Sequence, residues 1–179
     1  VYVLDFRVLS VDDSPLVGSK VLCVGVVSNG SNVEGVLTFK IKRDGVDASK
    51  KLIERIKNSK FHFSLILIHG VVLGGFNVID LNSIFLNTGV PVICVFKSGR
   101  DREMLKAAEK IFGLKRRKLI EKAGIPKNFG KLRFYHAGLT EGEAKHFLSH
   151  LAESGFPWSL RLAHLIGSGV VLGESKGKI

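Results

Sequence analysis

The sequence predicts an α/β protein: a mixed sheet that starts with three antiparallel strands, continues with parallel ones, and carries helices on both faces. Three observations lead there. Residues 6–42 hold three strand-like runs separated by turn chemistry. From residue 47 onward, helical apolar stripes alternate with short apolar runs. Two of those runs, SLILI at 64–68 and PVICVF at 91–96, are nearly continuous apolar stretches, as expected of strands covered on both faces.

The elements follow in order. Residues 6–11 form the first strand, which Asp12-Asp13-Ser14-Pro15 is expected to end. KVLCVGVVS, residues 20–28, is the second. Asn29-Gly30-Ser31-Asn32 is hairpin-turn chemistry, and residues 33–42 return as the third strand. That strand alternates, with Val36, Thr38 and Lys40 on one face and Leu37, Phe39 and Ile41 on the other. Asp44-Gly45 closes it. A helix starts at Asp47-Ala48-Ser49, with Asp47 at its N-cap; Leu52, Ile53 and Ile56 give its apolar stripe, and Lys50, Lys51, Arg55 and Lys57 make its outer face basic. Beyond the strand at 64–69, a helix is predicted over 78–87, ended by Thr88-Gly89, and a strand over 91–96. Helices at 101–112 and 115–123, an outer strand at 131–137, and helices at 141–153 and 159–170 complete the chain. The ribonuclease H-like fold has this order of elements. A dinucleotide-binding fold would want GxGxxG after its first strand, and GVVLGG at 70–75 lacks the Gly-Lys-Ser/Thr of a P-loop.

Composition narrows the class. The 179 residues suit one domain over 1–179, and 45% apolar with 24% charged residues is the balance of a folded globular chain. There are 27 Lys plus Arg against 16 Asp plus Glu, a net charge of +11. Such an excess favours an anionic partner, and nucleic acid is the usual one. The only two cysteines, Cys23 and Cys94, lie inside apolar runs without CxxC spacing, so they read as buried thiols and not as zinc ligands. No apolar stretch is long enough to span a bilayer, which predicts no membrane partner. Asp5 and Arg7 break up the start and no small-residue cleavage site follows, so a cytoplasmic location is expected.

In sheets of this kind, ligands gather at the carboxyl ends of the parallel strands. Three such ends carry polar groups: Asp12 and Asp13 after the first strand, His69 after the strand at 64–68, and Lys97-Ser98 after the strand at 91–96. Carboxylates there would hold Mg2+ or Mn2+ for phosphodiester hydrolysis, with a basic residue near the phosphate. Each residue also has a plain structural role open to it. Asp12 and Asp13 suit a turn, Asp47 a helix cap, His69 a hydrogen-bonded strand end, and His164 an apolar helix face. Gly74-Gly75-Phe76-Asn77 fits a tight loop whose backbone approaches a phosphate or a base, or equally one packed on the sheet. Lys115-Arg116-Arg117-Lys118, with Lys50-Lys51, suits nucleic-acid phosphates, and equally the solvated face of an amphipathic helix.

Several stretches taken together resemble one family. DDSP, GVLTFKIKRDGVDAS, GGFNVIDL, TGVPVICV, LRLAHLIGSG and GESKG occur in the order seen in the DUF99 (UPF0215) family of mainly archaeal proteins. That family is similar to endonuclease V, a metal-dependent nuclease with a ribonuclease H-like fold that acts on deaminated bases, chiefly inosine. The resemblance implies roles. Ser10-Val11-Asp12 resembles the nuclease's G-V-D, which makes Asp12 the metal carboxylate of the first strand. Gly35 to Ile41 resembles G-F-L-S-F-R-E, so Ile41 stands where the nuclease has a metal-site Glu, and Asp44 or Asp47 would substitute from the loop that follows. Ile68-His69-Gly70 resembles V-D-G, so His69 stands where the nuclease has a metal-binding Asp. Val95-Phe96-Lys97-Ser98 resembles V-A-K-S and retains the lysine. Arg161-Leu162-Ala163-His164 resembles the nuclease's helix motif and would set His164 beside the metal. An imidazole brings no negative charge to a hard Mg2+ and suits Mn2+, Zn2+ or Ni2+ better. The resemblance therefore implies a metal-dependent nuclease or phosphodiesterase on DNA or RNA. Its alternatives are a catalytically silent nucleic-acid-binding relative, or a small-molecule or protein-binding domain whose charge is incidental.

Overall fold

The computed structural model describes residues 6–99, 101–152 and 155–176. Nine strands and six helices are present among them. Strands β1 (Arg7–Asp13), β2 (Lys20–Asn29) and β3 (Asn32–Lys42) form the predicted antiparallel meander. Then come α1 (Ala48–Lys57), β4 (Leu65–His69), the short strands β5 (Val72–Leu73) and β6 (Asn77–Val78), α2 (Leu81–Thr88) and β7 (Val92–Lys97). The chain continues through α3 (Asp101–Phe112), α4 (Leu114–Glu121), β8 (Lys127–Phe129), β9 (Leu132–Ala137), α5 (Glu141–Leu151) and α6 (Trp158–Leu172).

Seven strands make one sheet in the order β3-β2-β1-β4-β7-β9-β8. The three central strands β1, β4 and β7 run parallel, and every other pairing is antiparallel. This is the ribonuclease H-like arrangement. Helices α1 to α4 cover one face and α5 and α6 the other. In β4, Ile66 and Ile68 pack toward the first layer, and Leu65 and Leu67 toward the second. Burial on both faces explains the unbroken apolar run, and each such side chain contributes roughly 1.5–3 kcal/mol. Strand β3 keeps its alternation: Leu37 and Ile41 are buried, while Val36, Thr38 and Lys40 face solvent. Cys23 and Cys94 are buried free thiols, and burial pushes both thiols well up from their ordinary range.

Besides shifts of one or two residues at other ends, four features differ from the sequence expectation. β1 does not stop at Val11; it pairs through Asp13, with Asp12 opposite Val24 and Asp13 opposite Cys23. The helix expected over 78–87 starts at Leu81, because Asn77-Val78 pairs with Val72-Leu73 and Asp80 caps the helix by accepting from the Ser83 N–H at 2.9 Å. β9 is not the outer strand, since β8 pairs beyond it. The helix expected over 141–153 is α5, which ends at Leu151; residue 153 lies outside the described residues.

α5 begins with a capping box. The Thr140 hydroxyl accepts from the Glu143 N–H at 3.2 Å, and the Glu143 carboxylate accepts from the Thr140 N–H at 2.8 Å. Thr140→Ala is expected to lower stability by about 1 kcal/mol, read as a lower urea midpoint at unchanged slope.

Candidate active site

Alternation along β1 sends its two carboxylates to opposite faces. Val8, Ser10 and Asp12 point toward α6, and Leu9, Val11 and Asp13 toward the α1–α4 layer. Helix α6 meets the first row in matched steps. The Ser10 and Ser159 hydroxyls hydrogen-bond at 2.7 Å, both fully buried. His164 Nδ1 lies 3.2 Å from Asp12 Oδ2. Gly167 sits against Ser14, so closely that a Cβ there would lie 2.5 Å from the Ser14 Oγ. Eight helical residues rise about 12 Å and four strand residues about 13 Å, so the two spacings agree. Gly167→Ala must turn the Ser14 hydroxyl away and crowd α6 against Ser14, and a loss of about 1–3 kcal/mol is expected, measured by urea unfolding.

His69, at the end of β4, approaches from the other side. Its Nδ1 lies 3.2 Å from Asp12 Oδ1, which also accepts the Asp13 N–H at 2.9 Å. Asp12 is 2% exposed, and it is gripped by two imidazoles that are each about a quarter exposed. Burial pushes the Asp12 carboxyl up, but the two imidazoles together outweigh burial and hold it below the usual carboxylate range. In return Asp12 raises the His164 imidazole. Phe156 is buried and meets the His69 ring edge-on, with centroids 5.2 Å apart; Lys97 Nζ, from the end of β7, lies 5.9 Å from the same phenyl centroid. The structure therefore brings together Asp12, His69 and His164, with Lys97 alongside through Phe156.

Asp13 faces the other way, and its Oδ2 accepts the Gly74 N–H at 2.7 Å. Burial first, and then the neighbouring Asp12 charge, push its carboxyl up to about 6. It lines a pocket of about 280 Å3 with His69, Gly70, Val72, Phe96 and Met104.

The remaining candidates build the loop that frames this end. Asp44 adopts φ 54°, donates its N–H to Gly74 O and accepts the Phe76 N–H at 2.9 Å. Gly75 has φ 90°, and a Cβ there would run into the Asp44 carboxyl. Gly74 packs on Ile41, which is itself core. Asp47 stands at the N-cap of α1, yet its side chain does not cap; Oδ1 accepts from the Lys42 N–H and from the Asn77 amide. The buried Asn77 supplies the cap instead, accepting the Ala48 N–H at 2.9 Å. The carboxylates of Asp44 and Asp47 thus hold backbone and amide N–H groups of this loop. Arg116 donates to the carbonyls of Asp44, Gly45 and Phe76 and stacks on Phe112, and Arg117 pairs with Glu109 and Glu121. Lys115 and Lys118 are both exposed on α4.

The donor chemistry fits a divalent ion at Asp12. Oδ2 is buried and receives no directed hydrogen bond, because the His164 contact is not aligned as one. Two adjacent carboxyls repel, which a cation would relieve. Carboxylate oxygens with imidazole nitrogens form a mixed set that suits Mn2+ better than Mg2+. Among the described residues, no three His, Cys, Asp or Glu side chains already converge as a metal cage, because both imidazoles turn onto the carboxylate itself.

The sheet order defines a ribonuclease H-like fold, similar to that of endonuclease V. Bacillus subtilis endonuclease V superposes with a TM-score of 0.57 at 12% identity, covering 94% of this chain and 80% of that one. Ciona intestinalis endonuclease V, solved with a 24mer DNA containing an inosine followed by a ribo-adenosine, gives 0.55 at 14% identity, covering 88% and 82%. The likeness at these identities is one of fold. The chain belongs to the Endonuclease dU family, whose sequence profile matches residues 5–171. A UPF0215 protein of Methanosarcina mazei is 38% identical over 186 residues, covering 97% of this chain and 95% of the relative. A crystal structure of a protein of unknown function from Archaeoglobus fulgidus superposes with a TM-score of 0.85 at 34% identity, covering 93% and 98%. No helix among the described residues is long and apolar enough to cross a membrane.

Phe156 is the site residue the sequence did not flag. It follows a turn, belongs to no motif, and gains its place only from where α6 begins.

Proposed function

We propose that this chain is a nuclease that hydrolyses a phosphodiester bond in nucleic acid containing a deaminated base, with deoxyuridine in DNA as its substrate. The observation that carries the reading is the buried Asp12 carboxylate between His69 and His164 at the carboxyl ends of the parallel strands. The family description, Endonuclease dU, supports the choice of base, since deoxyuridine is what deamination makes of deoxycytidine.

Asp12 would hold a divalent ion through its buried Oδ2, with the imidazoles of His69 and His164 beside it to carry protons. Such an ion supplies Lewis-acid polarisation of the phosphate and a more acidic water. The protein's own groups do the rest. Asp12 engages Nδ1 of each imidazole and so leaves Nε2 as the nitrogen facing substrate, the logic by which a carboxylate orients a catalytic histidine. One Nε2 accepts a proton from the attacking water as the new P–O bond forms. The other donates a proton to the departing sugar oxygen as the old bond breaks. Lys97 offsets the phosphate charge. The pocket beside Asp13 and His69 gives room for a base taken out of the stack.

One observation favours a second reading, a binding protein without chemistry. Ile41 is core, and His69 brings no fixed negative charge, so two acidic positions of endonuclease V are not acidic here. The deciding experiment is a cleavage assay on labelled oligonucleotides, single- and double-stranded, carrying one deoxyuridine, one inosine or neither, with Mg2+ or Mn2+. Cuts that require deoxyuridine and metal are expected, faster with Mn2+. Binding without cuts would establish the second reading, and neither binding nor cuts would overturn both.

A further inference from the structure

We infer that His146 and His150 on α5 form a second, independent site for a borderline divalent cation such as Zn2+, Ni2+ or Cu2+. Residues four apart on a helix lie on one face, and two histidines at that spacing are a recurrent zinc-binding pair. The ring spacing allows chelation. A metal bound to a ring nitrogen at about 2.05 Å lies about 3.2 Å from the ring centroid, so two such rings have centroids about 4.5 Å apart at a right angle and about 5.2 Å apart at the tetrahedral angle. The observed separation of 4.8 Å lies between these two values, and the ring planes cross edge to face at 81°. Both side chains are exposed, and no hydrogen bond or ion pair among the described residues engages their ring nitrogens.

The backbone beneath them is held firmly. The capping box fixes the start of α5, and Ala144 and Leu148 bury its inner face. Two ligands on a fixed helix lose little freedom on binding. Both rings also line a pocket of about 620 Å3 with Phe6, Phe147, Leu151 and Trp158. That pocket sits at the start of β1, whereas Asp12 stands near its end, about 15–20 Å along the strand. The two sites therefore share no side chain, and the inference stands whether or not the nuclease reading does. Water completes the coordination, so the site takes the cation alone.

Ni2+ titration of the full chain, followed by paramagnetic broadening of backbone amide NMR signals, locates the ion. Zn2+ calorimetry measures its affinity. Broadening that spreads from His146 and His150 is expected, with His146→Ala and His150→Ala each weakening that site at least about tenfold because the chelate is lost. Alanine is the best helix former, so α5 remains intact in both variants. Asp12→Asn leaves binding at α5 unchanged and removes the other carboxylate from the count. Broadening confined to His69 and His164, or an α5 affinity indifferent to His150→Ala, would overturn the inference.

Discussion

Asp12→Asn will lower deoxyuridine-directed cleavage by roughly 10²–10⁴-fold while leaving the protein folded. The side chain is the same size, so nothing in the buried space at the end of β1 is displaced. What changes is charge and tautomer. Asp12 hydrogen-bonds Nδ1 of His69 and lies 3.2 Å from Nδ1 of His164, and its negative charge raises His164. An amide supplies no charge, and one of its two polar atoms is a donor, so at least one ring must turn or change its tautomer. Either response moves Nε2 away from its working orientation, and a metal loses its first carboxylate as well. The control lies in the binding assay. Removing one negative charge beside a phosphate path leaves nucleic-acid affinity equal or slightly higher. A variant that binds as well and no longer cuts assigns Asp12 to the chemistry. A variant that still cuts at the original rate would remove the site from Asp12 altogether. Circular dichroism and the urea midpoint check that the fold is unchanged.

The core of this fold was legible because burial writes itself into the chain. β4 is covered on both faces, so its five residues contain no polar position before His69. β3 is covered on one, so it alternates. Elements too short to carry a period left no such mark. β5 and β6 have two residues each and β8 has three, and their pairing is decided by tertiary neighbours. Asp12-Asp13-Ser14-Pro15 looked like a turn because its residue types favour one. Ladder pairing to Val24 and Cys23, and the approach of His69 and His164, outweigh that local preference.

The site was legible for a related reason. Asp12, His69 and Lys97 sit where strand ends must put them, and the resemblance to the helix motif of endonuclease V drew His164 to the same place. The acidic residues expected to complete a metal site are harder to assign from sequence, because a carboxylate beside glycine-rich backbone serves an amide as well as a cation. Asp44 and Asp47 hold amide N–H groups of the loop. The basic tract at 115–118 carries the same ambiguity. Arg116 is a structural clamp over three carbonyls and Arg117 bridges two glutamates, while only the residue types, not their partners, were visible in LKRRK.

Asn77→Ala will destabilise the protein by about 3–5 kcal/mol, the largest stability loss expected of any single polar side chain at this end of the sheet. Its position in GGFN suggested a ligand contact. Its environment is fully buried, and its amide closes three separate gaps. Oδ1 accepts the Ala48 N–H, one of the four that the first turn of α1 leaves without a helical partner. Nδ2 donates to Lys42 O at the end of β3 and to Asp47 Oδ1 at 2.7 Å. One side chain therefore joins the end of β3, the start of α1 and the β5–β6 hairpin. Alanine leaves the buried Ala48 N–H without its partner, at roughly 1–3 kcal/mol, and takes one of two donors each from Lys42 O and Asp47 Oδ1, at about 0.5–1.5 kcal/mol apiece. Asn77→Asp separates the roles. It keeps the acceptor for Ala48 and sets a second carboxylate against Asp47, so it should destabilise as well, and most strongly where both are ionised. Equilibrium urea unfolding reads the loss directly. A midpoint within experimental error of the parent would mean that the amide does not bear this load, and that Asn77 is kept for contact with a ligand.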